Sequence, residues 1–131
     1  MRLFVTDVPD GGWTELTEGD RQPVRVAATD LQHARRVRQR VRAGSADVAV
    51  ILDVTVAVAA DFRSVSDALE PAAGVRYAGT VDGLAGLIAD IESAGVADGV
   101  TLLPVSPRED VRALGRAVLR SLASRGQPRA S

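Results

Sequence analysis

The stretch Asp47-Val-Ala-Val-Ile-Leu-Asp-Val-Thr-Val-Ala-Val-Ala59 decides the fold class. It is dominated by β-branched residues, whose stiff side chains suit a pleated strand. Side chains alternate along a strand, so Val48, Val50, Leu52, Val54, Val56 and Val58 share one face. Ala49, Ile51, Asp53, Thr55 and Ala57 share the other. Both faces are mostly apolar, which predicts a strand covered on both sides, as in α/β folds. Asp53 interrupts the apolar run from Val48 to Ala60, which is also too short to span a bilayer.

Working towards the C-terminus, a short helix is expected around Ser64–Glu70, ended by Pro71, and a brief strand at Val75–Ala78. Thr80 then caps an amphipathic helix carrying Leu84, Leu87, Ile88 and Ile91, and Gly95 ends it. Asp98-Gly-Val-Thr-Leu-Leu103 reads as a buried strand closed by Pro104. In Ser106-Pro107-Arg108-Glu109, Ser is the cap, Pro suits the first turn and Glu completes a capping box. The helix it opens has Val111, Leu114, Val118 and Leu122 on one face and stops at Gly126, and residues 127–131 form a fraying tail.

Towards the N-terminus, Pro23–Ala27 reads as a strand whose Pro confines it to a strand start or an edge. Thr29 or Asp30 caps a helix reaching about Ala43, with Gly44 as its stop and a narrow stripe of Leu31, Ala34, Val37 and Val41. Arg2–Thr6 reads as a short strand. Between them Pro9, Gly11, Gly12 and Gly19 mark an irregular connection that holds Trp13. Alternating strands and helices predict a mostly parallel sheet with covering helices.

At 131 residues the chain fits one domain, and folding buries about two-thirds of the unfolded surface. The same length rules out a complete (β/α)₈ barrel, which takes about 250 residues. The chain has no Cys, which excludes disulfides, Cys-ligated zinc, iron–sulfur clusters and thiol catalysis and fits a reducing cytoplasm. A net charge of −1 gives no global attraction to nucleic acid or an anionic membrane. No N-terminal stretch has the order of a signal peptide. Every basic residue is Arg, a mark of coding bias and not of a site.

Four segments resemble one known family. Tyr77-Ala-Gly-Thr-Val-Asp-Gly-Leu-Ala85 resembles a Gly-Thr-Pro-type helix start. Ala94-Gly-Val-Ala-Asp-Gly-Val-Thr-Leu-Leu-Pro104 is similar to a final barrel strand written Ala-Asp-Gly-Phe plus apolar residues. Glu109-Asp-Val-Arg-Ala-Leu114 and Val118-Leu-Arg-Ser-Leu-Ala-Ser-Arg-Gly126 resemble a terminal helix ending in Arg-Gly. In this order and spacing they resemble the C-terminal end of luciferase-like flavin-dependent monooxygenases. Residues 46–126 carry the resemblance, and residues 1–45 remain unassigned. Val81 stands where the family has Pro, Arg120 where it has the Pro of the terminal helix, and the first half of the barrel is missing.

The resemblance, joined to the length, implies a truncated, half-barrel-like α/β domain. It implies association with a flavin mononucleotide or a deazaflavin and a full-length flavin enzyme as a further partner. A half barrel has two open parallel edges, which self-association into a homodimer or higher oligomer, or an added strand from residues 1–28, would cover. Full monooxygenase activity is not expected, since the family's pocket draws on loops from many strands. The alternative is a non-catalytic interaction module, accessory subunit or small-ligand binder on the same scaffold.

Each candidate site has a plainer reading beside it. The cofactor candidates are Gly79 and Thr80, whose helix N-terminus offers free N–H groups and a favourable dipole to a phosphate. The plainer reading is a Thr cap after a Gly. Asp53 is either a ligand-binding carboxylate or the partner of an Arg. His33, the only His, lies beside Arg35 and Arg36 and suits neither a triad nor a metal site. Arg35, Arg36, Arg38, Arg40 and Arg42 are either phosphate contacts or a solvated face, and with four aromatic residues the chain offers little base stacking. Trp13 is the better contact residue, or a plug over the core. No catalytic or metal-ligating residue is assigned.

Overall fold

The computed structural model describes residues 1–6, 13–44, 47–58, 75–104 and 110–126. The described elements are β1 (Arg2–Thr6), β2 (Trp13–Glu15), β3 (Gln22–Val26), α1 (Leu31–Gly44), β4 (Val48–Val58), β5 (Arg76–Gly79), α2 (Val81–Ser93), β6 (Gly99–Pro104) and α3 (Val111–Gly126). They form an α/β domain: a curled, half-barrel-like, mostly parallel sheet with covering helices. The strand order is β2-β1-β6-β4-β3, with β5 also pairing β4. Only β2 runs antiparallel, as the edge partner of β1.

β4 is the spine, as its sequence predicts. It pairs β6 from Ile51 to Val56, β3 from Val48 to Leu52, and β5 from Thr55 to Val58. Its face with Val50, Leu52, Val54 and Val56 is fully buried, and Leu52, Val54 and Val56 join Leu3, Val5, Val100 and Leu102 in the main core. Leu84, Ile88 and Ile91 of α2, and Val111, Leu114 and Val118 of α3, close that core from above. Both β3–α1–β4 and β5–α2–β6 step across the sheet in the same direction. Right-handed crossovers therefore place α1 and α2 on one face, and Ala34 of α1 joins the same core as α2.

The helix ends follow local chemistry. Asp30 caps α1, its Oδ1 accepting from His33 N–H at 2.7 Å. At the end of α2, Gly95 N–H reaches Glu92 O at 3.1 Å and Val96 N–H reaches Ile91 O at 3.0 Å, a Schellman closure. Gly95 makes this closure at φ +69°, where a side chain would be strained. Asp110 caps the described start of α3, accepting from Ala113 N–H at 3.0 Å. The expected capping box at Ser106–Glu109, the helix at Ser64–Glu70 and the tail at 127–131 lie outside the described residues.

One expectation changes. The connection after β1, read as irregular, contains the strand β2, in register with β1 through Phe4↔Glu15, Val5↔Thr14 and Thr6↔Trp13. Three residues are too few to show a period. A distant ion pair fixes them: Arg2 donates from Nε and Nη2 to the two carboxylate oxygens of Glu15, at 2.8 and 2.7 Å.

Candidate functional site

Among the described residues, three helices lie on one face of the sheet and none on the other. That face carries Phe4 and Thr6 of β1, Thr101 of β6, Asp53 of β4 and Arg25 of β3. Phe4, Thr101 and Asp53 are register neighbours and form a row across the sheet. The row straddles a divergence in the topology. The chain leaves β4 for β5 on one side, while α3, which follows β6, packs on β1 on the other. Open α/β sheets bind ligands where connections part in this way, towards the carboxyl ends of the strands.

Trp13 covers the row. Its ring stacks on Phe4 with centroids 4.3 Å apart and planes 16° from parallel. Its Nε1–H donates to Thr101 Oγ1 at 2.8 Å, tying β2 to β6 across β1. The Arg2 guanidinium lies 5.4 Å from the Phe4 centroid, and the Arg25 guanidinium 6.0 Å from the Trp13 centroid. Phe4, Ala49 and Ile51 are thereby buried as a second, smaller core beneath Trp13. Trp13 itself stays partly exposed. Of the two readings of Trp13 in the sequence, the plug over the core is the one the packing shows.

Asp53 is paired: Arg25 Nε donates to its Oδ1 at 2.8 Å. This is the plainer of the two readings of that carboxylate, and it leaves the terminal Nη groups of Arg25 without a partner among the described residues. Thr6 lies on the same face, opposite Trp13 in register and fully buried, and its Oγ1 has no hydrogen-bond partner among the described residues. An orphaned buried hydroxyl costs about 1–3 kcal/mol.

Gly79 and Thr80 come together at the end of β5. Thr80 Oγ1 accepts from Gly83 N–H at 3.1 Å, and Tyr77 Oη–H donates to Thr80 O at 2.9 Å. Tyr77 also fills the space beside Gly83, where a Cβ would collide with its hydroxyl. The cap thus takes up one N–H group of the first turn, and Asp82 already places a carboxylate there. Thr80 and Arg25 do not share a site. They flank β4 at Val58 and Ile51, roughly 23 Å apart along the strand.

The remaining candidates serve the scaffold. His33 Nδ1 faces Thr29, within 3.1 Å of its N–H. Arg38 and Arg42 hold Asp98 at 3.0 and 3.3 Å, while Arg35, Arg36 and Arg40 are exposed. Asp98, at the start of the β6 segment, is a junction that no local signal marks. Its Oδ2 accepts from Val50 N–H at 2.8 Å and its backbone N–H donates to Val50 O at 2.8 Å. Burial pushes its carboxyl up, but the Val50 N–H, Arg38 and Arg42 together hold it below the ordinary value. Among the described residues no group of three His, Asp or Glu side chains is placed to hold a metal ion. No helix among them is long and apolar enough to cross a membrane.

Comparison with known proteins finds no family model that matches the chain and no curated protein significantly similar to it.

Proposed function

We propose that this protein is a non-catalytic small-ligand-binding module, and that a planar ring ligand docks against Trp13 on the sheet face opposite the helices. The observation that carries this reading is the Trp13–Thr101 hydrogen bond. It holds a partly exposed aromatic surface rigidly over a polar row at the divergence between β4 and β6. The buried Thr6 hydroxyl beside it, unpartnered among the described residues, supports the same place. The resemblance of residues 46–126 to luciferase-like enzymes makes flavin mononucleotide and a deazaflavin the first ligands to try. It also suggests a full-length flavin enzyme as a further partner, while a cytoplasmic setting rests on the absence of Cys and a homodimer on the sheet edge.

Trp13 is the only Trp, so intrinsic fluorescence reports this site alone. Titration with either cofactor should quench it saturably. Ligand at 100 times its Kd should raise the melting temperature by about 10 °C. If neither cofactor shifts the melting temperature, the small-ligand reading gives way to a protein-interaction module. Dimerisation is argued from the parallel edge strand β3 alone, since the antiparallel β2 already covers the β1 edge and parallel strands are seldom left uncovered. Light scattering that shows only monomer at high micromolar concentration would defeat it.

A further inference from the structure

We infer that the ligand of this face is a planar anion, its ring on Trp13 and its carboxylate or phosphate on the terminal Nη groups of Arg25. The inference rests on the small-ligand reading and adds a charge and an anchor to it. Arg25 is the one cation brought to the exposed ring of Trp13, 6.0 Å from its centroid among the described contacts. Asp53 fixes the guanidinium through Nε alone, at 2.8 Å. That leaves the outer edge of a rigid, planar fork unpartnered among the described residues, the geometry that receives a carboxylate or phosphate in two parallel hydrogen bonds. The Arg25 side chain is 31% exposed and Asp53 22%, so the pair stands at the surface of the sheet face.

Asp53 then has a definite task. An Arg on an edge strand sweeps through many rotamers, whereas the bond to Asp53 holds its fork above the sheet beside Trp13. The ordering cost is met before the ligand arrives. Thr101, buried beneath Trp13, takes no part in contacting the ligand; it holds the ring in place through Oγ1. Neither Trp13 nor Arg25 belongs to the part of the chain that carries the family resemblance. The anchor is also distinct from the helix N-terminus at Thr80, which lies seven residues further along β4.

Flavin mononucleotide and riboflavin test this directly, because they share one ring system and differ by a phosphate. Both are titrated against Trp13 fluorescence and melting temperature, in wild type, Arg25→Lys and Thr80→Ala. Lys keeps the charge and the pairing with Asp53 but loses the planar fork. The expected result is about ten-fold tighter binding of the mononucleotide than of riboflavin in wild type. That preference should fall several-fold in Arg25→Lys and persist in Thr80→Ala. Equal binding of the two flavins overturns the inference and leaves the small-ligand reading intact. A preference lost in Thr80→Ala but kept in Arg25→Lys overturns it in favour of the helix N-terminus. If neither flavin binds, the inference and the reading fall together. An unchanged Arg25→Lys melting temperature without ligand shows that its loss of preference is not a folding defect.

Discussion

At the scale of single residues, Asp98 and Trp13 do different work with the same device, a side chain that ties together strands distant in sequence. Asp98 accepts from Val50 N–H and from two guanidinium groups, so α1, β4 and the start of β6 meet on one carboxylate. Asp98→Ala leaves a backbone donor and two cations without their acceptor and should cost about 2–4 kcal/mol, read as a fall in the urea midpoint at unchanged slope. Asp98→Asn keeps an acceptor for Val50 and should cost less. Trp13→Phe keeps the stack on Phe4 but removes the donor to Thr101, which predicts a loss of about 1 kcal/mol by the same measurement. An unchanged midpoint in Trp13→Phe would mean that Thr101 does not need that bond. The sequence marks Trp13 as a plug or contact but names no partner, and it shows Asp98 only at a strand start, because their partners lie 88 and 48 positions away.

Among elements, legibility follows the strength of the local signal. The helix at Val81–Ser93 has a Thr cap, four apolar residues at helical spacing and a Gly stop, and it folds as those features predict. β4 is equally plain. β2 is invisible in the sequence because Arg2, not its own pattern, decides it. The apolar face of α3 packs as its spacing predicts, but the close approach at Gly115 depends on residues far away in the chain. In the fold Gly115 is buried where α3 meets β1 and Leu16, and a Cβ added there would collide with the Leu16 side chain and lie 3.2 Å from Val5 Cγ1. Gly115→Ala should therefore destabilise the protein despite its better helix propensity. Gly115→Val should do so by about 1–3 kcal/mol, measured by thermal unfolding. A rise in melting temperature for Gly115→Ala would show that α3 stands further from the sheet.

For the whole molecule, the two cross-strand junctions also set the response to acid. The Arg2 hydrogen bonds hold the Glu15 carboxyl below its ordinary value, as the contacts of Asp98 do for that group. Both folded values lie below the unfolded ones. Their contribution is complete above the ordinary carboxylate range, about pH 4–5, and is lost as pH falls through and below it. Stability should be level from pH 6 to 8 and drop steeply below about pH 4, and Asp98→Asn should flatten the drop. An Asp98→Asn variant with the wild-type acid profile would remove Asp98 from this account.

The sequence by itself determined what depends on short-range periodicity: a two-faced apolar strand, the capped helices, their alternation, and so a mostly parallel sheet too short to be a complete barrel. It also marked Asp53, Thr80 and Trp13 as the residues to watch. Only the tertiary structure decided which of them meet. Strand order and register bring Trp13, Thr101, Asp53 and Arg25 together on the face that the helices leave, and set Thr80 apart from them. The physical reason is that a helix cap or an alternating strand is closed by neighbours within a few residues. A site on a parallel sheet is closed by hydrogen bonds between strands that the chain reaches only after a crossover.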